Sequence, residues 1–142
     1  MQPLKLSKAW TKRSMNEPIF ISREVVLAIH RVSLERHGGL DGLRESGLLD
    51  SALMQPEATY YYGQGDLFAI AAAYAFHIAQ NQPFIDGNNR TAVGSAYLFL
   101  KANGADVDRF DDFEVYDAMI AIAEKRFDKA GLAEIFRRLV SS

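Results

Sequence analysis

From Leu67 to about Gln80 the chain reads Leu-Phe-Ala-Ile-Ala-Ala-Ala-Tyr-Ala-Phe-His-Ile-Ala-Gln, without a single Asp, Glu, Lys or Arg. The tract is shorter than the roughly 20 residues a bilayer span requires. Wound as an α-helix it is apolar nearly all round, and such a helix is stable in water only when neighbours cover every side. It is therefore read as the central buried helix of its domain, with Asp66 supplying the side-chain oxygen of an N-cap. The rest of the fold has to be arranged around it.

The flanking sequence supplies that cover as further helices. Ser22 before Arg23-Glu24-Val25 has the form of an N-cap, and Val25, Val26, Ile29, Val32 and Leu34 recur at helical spacing up to Gly38-Gly39. Ser46 is expected to cap a short helix carrying Leu48, Leu49, Ala52 and Leu53. Pro56 should close it, because the residue ahead of a proline is steered away from helical backbone angles. Thr59 to Gly65 has neither charge nor period and reads as a loop or short hairpin. A second central helix is expected from Asn88 to Asn103, stopped by Asn103-Gly104. Asp111 or Asp112 opens a helix with Val115, Ala118, Met119 and Ile122, and Asp128 opens the last, with Leu132, Ile135, Phe136 and Leu139. The stretch to about Phe20 has no sustained period, so residues 1–20 are read as an arm and 21–142 as one domain. With 142 residues the chain can bury a single core. The expected architecture is all-α, a compact helical bundle with at most one short β-hairpin.

Composition removes several function classes. The chain has no cysteine, which excludes disulfides, thiolate nucleophiles and cysteine-bound zinc. His30, His37 and His77 show no metal-ligand spacing. A formal net charge of −2 gives no electrostatic footprint for direct nucleic-acid binding. No apolar run is long enough for a membrane, and Met1 to Arg13 lacks the apolar core of a secretory signal, so a cytoplasmic protein is the plain reading.

The chemistry is concentrated between the two central helices, in Gln82-Pro83-Phe84-Ile85-Asp86-Gly87-Asn88-Asn89-Arg90-Thr91-Ala92. A helix start offers free backbone N–H groups and partial positive charge, which suits a phosphate. Asp86 can hold Mg²⁺ through hard oxygen ligation, and Arg90 can clamp phosphate oxygens. On composition alone Asp-Gly-Asn is an ordinary capped turn. Phe84 as an apolar pin, Arg90 in the first helical turn and small Ala92 after it favour a rigid, preorganised loop.

This loop resembles the signature of the Fic/Doc (fido) family, His-Pro-Phe-x-Asp-Gly-Asn-(Gly or Lys)-Arg. The resemblance extends to the death-on-curing (Doc) branch in Gly38 to Leu53, Ala71 to Asn81 and Tyr97 to Gly104. It implies a fido-type helical bundle acting as the toxin of a toxin–antitoxin pair, with ATP and Mg²⁺, on a hydroxyl of a protein such as elongation factor Tu. Carried over, Asp86 is the Mg²⁺ residue, Gly87, Asn88 and Asn89 with Arg90 form the nucleotide-phosphate cradle, and Phe84 anchors the loop. Tyr60 to Gly65 falls where the family places a target-aligning flap. The inhibitory motif (Ser/Thr)-x-x-x-Glu-(Gly/Asn) of some fido proteins does not occur, so control is expected from a separate antitoxin.

Two positions depart from the signature. The family's catalytic His is Gln82, whose amide can orient a hydroxyl but has no titratable lone pair to take its proton. The family's Gly or Lys is Asn89. Gly there implies AMP transfer and Lys implies transfer of the terminal phosphate. Because the chain is otherwise Doc-like, phosphate transfer is the first expectation and AMP transfer the second. The double departure favours a natural, catalytically weakened enzyme; the alternatives are an introduced disarming change and a pseudoenzyme that binds nucleotide or partner without chemistry. His77, five residues before Gln82, is expected to be a satisfied core histidine. The charged faces around Glu124-Lys125-Arg126 and Arg137-Arg138 are expected to be solvated.

Overall fold

A computed structural model describes residues 17–141. Six α-helices occur among them: α1 (Arg23–His37), α2 (Ser46–Tyr61), α3 (Leu67–Asn81), α4 (Asn88–Ala102), α5 (Asp112–Ala123) and α6 (Lys129–Ser141). The expected all-α architecture is therefore the observed one.

The apolar tract forms α3 and lies at the centre, against α2, α4, α5 and α6. Ile70, Ala71, Ala72, Ala73, Tyr74, Ala75 and Ile78 are buried on it. The alanines let neighbouring helices approach closely, and Ala92, Val93, Ala96, Phe99 and Leu100 of α4 fill the facing side. Asp66 caps α3 by accepting from Ala69 N at 2.9 Å. Ser22, Asp111 and Asp128 cap α1, α5 and α6 in the same way.

Most of the expected arm, residues 1–16, lies outside the described residues. Its end is laced onto the bundle. Ile19 N donates to Asn103 Oδ1 at 2.8 Å and Ile21 N to the Tyr74 hydroxyl at 2.8 Å. Phe20 packs its ring near Tyr60, Tyr61 and Phe99.

Several local expectations are corrected. Pro56 does not close α2, which continues to Tyr61 with the proline buried inside it. The lost backbone bond is outweighed by the packing of Tyr60 and Tyr61 on Phe20, a case of tertiary contacts overriding local preference. Ser46 is the first helical residue; Glu45 stands at the cap position and makes no side-chain cap bond. Tyr60 to Gly65 is no hairpin: Tyr62 N and Gly63 N both donate to Ala58 O, and Gly65 N to Thr59 O, so the segment is a wound helix end and turn. The β-bridge found among the described residues instead joins Leu43 to Phe84. On α1 the buried face carries Val26, His30 and Ser33, while Val32 is 43% exposed. Arg137 is not simply solvated. It pairs with Asp66 at 2.8 Å and with Glu134, tying α6 to the cap of α3.

Candidate functional site

The loop between α3 and α4 begins with a backbone reversal. Gln82 ends α3 in the left-handed conformation, φ 46° and ψ 59°. A non-glycine residue there costs of order 1–2 kcal/mol, so the surroundings must hold it. Arg44, from the segment joining α1 and α2, does so. Its Nε donates to Gln82 O at 2.7 Å, its Nη2 to Asn81 O at 3.1 Å, and its backbone N to Pro83 O at 2.7 Å. Asn81 O and Gln82 O are the last carbonyls of α3, which need external donors and favour a cation.

Phe84 then plunges into the core with 1% of its surface exposed. Asn88 staples its backbone: Oδ1 accepts from Phe84 N and Nδ2 donates to Phe84 O, each at 2.9 Å. The His30 ring stacks on Phe84 at a centroid distance of 3.8 Å and 10° between planes. Its Nε2–H donates to Asp86 O at 2.8 Å, which fixes the tautomer. His30 is itself only 3% exposed.

Asp86 is exposed, with its carboxylate oriented by two backbone donors. Oδ1 accepts from Gly87 N at 2.8 Å and Oδ2 from Leu40 N at 3.3 Å. The chain at Gly39 passes so close that a Cβ there would lie 2.8 Å from Asp86 Oδ2. Gly87 is the N-cap of α4 and no side chain caps this helix start. On the same turn Arg90 donates from Nε to Ser33 Oγ at 2.7 Å and from Nη2 to Gly38 O at 3.2 Å. Arg90 takes no part in the ion pairs found among the described residues, so its charge is not spent on a carboxylate.

Gln82, Ile85, Asp86, Gly87, Asn88, Asn89 and Arg90 line one open polar cleft of about 320 Å³. Gln82, Asp86, Gly87, Asn88, Asn89 and Arg90 thus meet at one place, around a helix start with no side-chain cap, whereas Phe84 is buried beneath it and Tyr60 to Gly65 is not among the lining residues. That donor set fits a phosphate chain. No cluster of three or more His, Cys, Asp or Glu capable of holding a metal occurs among the described residues. Mg²⁺ commonly takes one or two carboxylates and completes its shell with substrate phosphates and water, so Asp86 fits a cation arriving with a nucleotide.

Three contributors escaped the sequence reading. His30 and Ser33 are buried polar residues three apart on α1, and their interruption of an apolar stripe was the available signal. Arg44 lay within the Doc-like stretch Gly38 to Leu53, but nothing local assigned its side chain a role. His77 is half-buried at the rim of the bundle instead of in its core, with Lys129 Nζ 2.9 Å from its Nε2. Burial, reinforced by Lys129, pushes its pKa down from 6.5 to about 4, so the neutral ring's Nε2 accepts a hydrogen bond from the Lys129 ammonium.

A buried aromatic pin, an oriented carboxylate and an arginine around an open helix start define a class of protein. A family model described as Fic/DOC family matches residues 20–100, and the chain belongs to that family. Among its relatives, the protein named Protein kinase doc of Escherichia phage P1 is 35% identical over 123 residues, covering 86% of this chain and 96% of that protein. Toxin Doc of Mycolicibacterium smegmatis is 38% identical over 101 residues, covering 66% of this chain and 75% of its own. Among the described residues no helix is long and apolar enough to cross a membrane.

Proposed function

We propose that this chain is a Doc-like toxin that takes Mg-ATP into the Gln82–Arg90 cleft and transfers the terminal phosphate to a hydroxyl of a protein target. The observation that carries this reading is the convergence of Asp86, the uncapped start of α4 and the unpaired-by-carboxylate Arg90 on one cleft. The names of the two relatives, a kinase and a toxin, support it. AMP transfer is the second mode, since Asn89 has neither the small size nor the charge of the residues that separate the modes in the resembling family.

In this reading the α4 N–H groups and Arg90 bind and orient the phosphates, and Asp86 holds the cation. Bound Mg²⁺ would offset phosphate charge. The target oxygen bonds to the terminal phosphorus as the bond to the bridging oxygen breaks, ADP leaves with that electron pair, and the hydroxyl proton is released. Gln82 orients the hydroxyl through its amide oxygen but leaves the proton to solvent. Loss of general-base assistance lowers the rate by about two to four orders of magnitude. A toxin implies an antitoxin protein as partner, and elongation factor Tu is the first target to try.

Thermal unfolding with and without Mg-ATP tests the site. At a hundredfold excess over Kd a ligand stabilises by about 2.7 kcal/mol, which should raise Tm by several degrees. Arg90→Ala should abolish the rise. A chain whose Tm ignores Mg-ATP would contradict the proposal.

A further inference from the structure

The side-chain hydrogen bonds that reach the loop from other elements divide at Phe84, while the backbone of Gly42 to Arg44 brackets it, with Arg44 N on Pro83 O at 2.7 Å and Ile85 N on Gly42 O at 2.9 Å. Before Phe84, the Arg44 side chain holds Asn81 O and Gln82 O, and Asn81 Nδ2 donates to Leu48 O at 3.0 Å. After it, residues 86–90 are held from α1 and its exit: His30 on Asp86 O, Ser33 and Gly38 on Arg90, Leu40 N on Asp86 Oδ2. Phe84 itself is immobilised by burial, by the two-bond Asn88 staple and by the backbone bridge to Leu43. A fixed pin between two segments held by different side chains passes little side-chain displacement from one to the other.

We propose that Arg44 is a positioning residue for the side chain at position 82, whereas His30 and Ser33 position the phosphate cradle, and that the two devices act independently. The assignment of position 82 to the reacting hydroxyl and of residues 86–90 to phosphate rests on the function proposed above. The structural division does not. Arg44 sets the left-handed turn that aims residue 82 into the cleft and touches none of the cleft's anion-binding groups. Ser33 orders the guanidinium of Arg90 and lies on a different helix from Arg44's targets.

The test uses Arg44→Gln and Ser33→Ala in the full chain, each with and without Gln82→His. Residue-resolved amide exchange on the free protein reads the structure directly. Arg44→Gln should speed exchange of the amides at positions 82 and 44 by about tenfold or more and leave Gly87 and Thr91 unchanged, and Ser33→Ala should do the reverse. Calorimetry with Mg-ATP should show affinity within about twofold for Arg44→Gln and at least about fivefold weaker for Ser33→Ala. In the Gln82→His background, Arg44→Gln should lower kcat with KM for ATP held, and Ser33→Ala should raise KM with kcat held. If Arg44→Gln does not fold, Arg44→Lys, which keeps a cation at the end of α3, carries the same comparison. Exchange that accelerates in both halves for either variant overturns the proposal, as does an equal loss of Mg-ATP affinity in both. If no variant binds or transfers nucleotide, the proposed function fails, and the exchange pattern still decides the positioning claim.

Discussion

Gly39 gives the sharpest test of how the carboxylate is placed. Its φ is +121°, a region nearly closed to side chains, and a Cβ would meet Asp86 Oδ2 at 2.8 Å, Leu34 Cδ2 at 3.1 Å and Asp86 Cγ at 3.2 Å. Gly39→Ala therefore does two things. The backbone strain costs about 1–3 kcal/mol. The added methyl also evicts the carboxylate from its hydrogen bond with Leu40 N, worth about 1 kcal/mol more. Gly104 separates the two effects. It has a comparable φ of +93°, nothing within 4 Å of its Cβ position, and lies past the far end of α4. Urea unfolding should show Gly39→Ala destabilised by about 2–4 kcal/mol and Gly104→Ala by about 1–3. Calorimetry should show Mg-ATP affinity about tenfold weaker, or 1.4 kcal/mol, for Gly39→Ala only. Unchanged affinity in Gly39→Ala, or an equal loss in Gly104→Ala, would refute the argument that Asp86 must sit where Gly39 leaves room for it.

Other outcomes follow from the packing. Because the folded His77 pKa lies near 4 and the unfolded one near 6.5, the unfolded chain takes up a proton first as pH falls, so stability drops through that window and levels off below it. The ring is half exposed, so screening limits the effect to about 1 kcal/mol. His77→Gln should flatten the unfolding free energy against pH by that amount, and an unchanged slope would contradict it. Ser95 Oγ and Thr91 Oγ1 are buried without a hydrogen-bond partner among the described residues. Ser95→Ala and Thr91→Val should each raise stability by about 1 kcal/mol in urea titrations. Arg137→Met should cost about 0.5–1 kcal/mol, a difference that shrinks in high salt because its bridge to Asp66 is partly exposed.

What could be read from the sequence was local or periodic. The α3 tract announced its burial by having no polar face, and Ser22, Asp66, Asp111 and Asp128 announced helix starts because a cap bonds amides only two or three residues on. The stretch from Gln82 to Arg90 was legible as one polar loop opening a helix because its residues are contiguous in the chain. Long-range contacts were not legible. Pro56 stays helical because of rings on a segment thirty-odd residues earlier, which no local rule contains. His30 meets Asp86 and Arg44 meets Gln82 across 56 and 38 residues, so their roles depend on how α1 and the α1–α2 connection fold back over the loop. The exposed Val32 shows the same thing in reverse: α1 is turned to present His30 and Ser33 to the loop in preference to a fully apolar stripe.

The central claim is that the cleft is a sound transferase site weakened at Gln82. Native and Gln82→His chains should be incubated with Mg-ATP and a bacterial lysate, and the lysate proteins searched by mass spectrometry for added phosphate or AMP. The claim predicts strong modification by the Gln82→His chain, and modification by the native chain lower by about two to four orders of magnitude. The mass added would distinguish phosphate from AMP. Modification by neither chain, with Mg-ATP still bound, would contradict it and leave a protein that acts by binding alone.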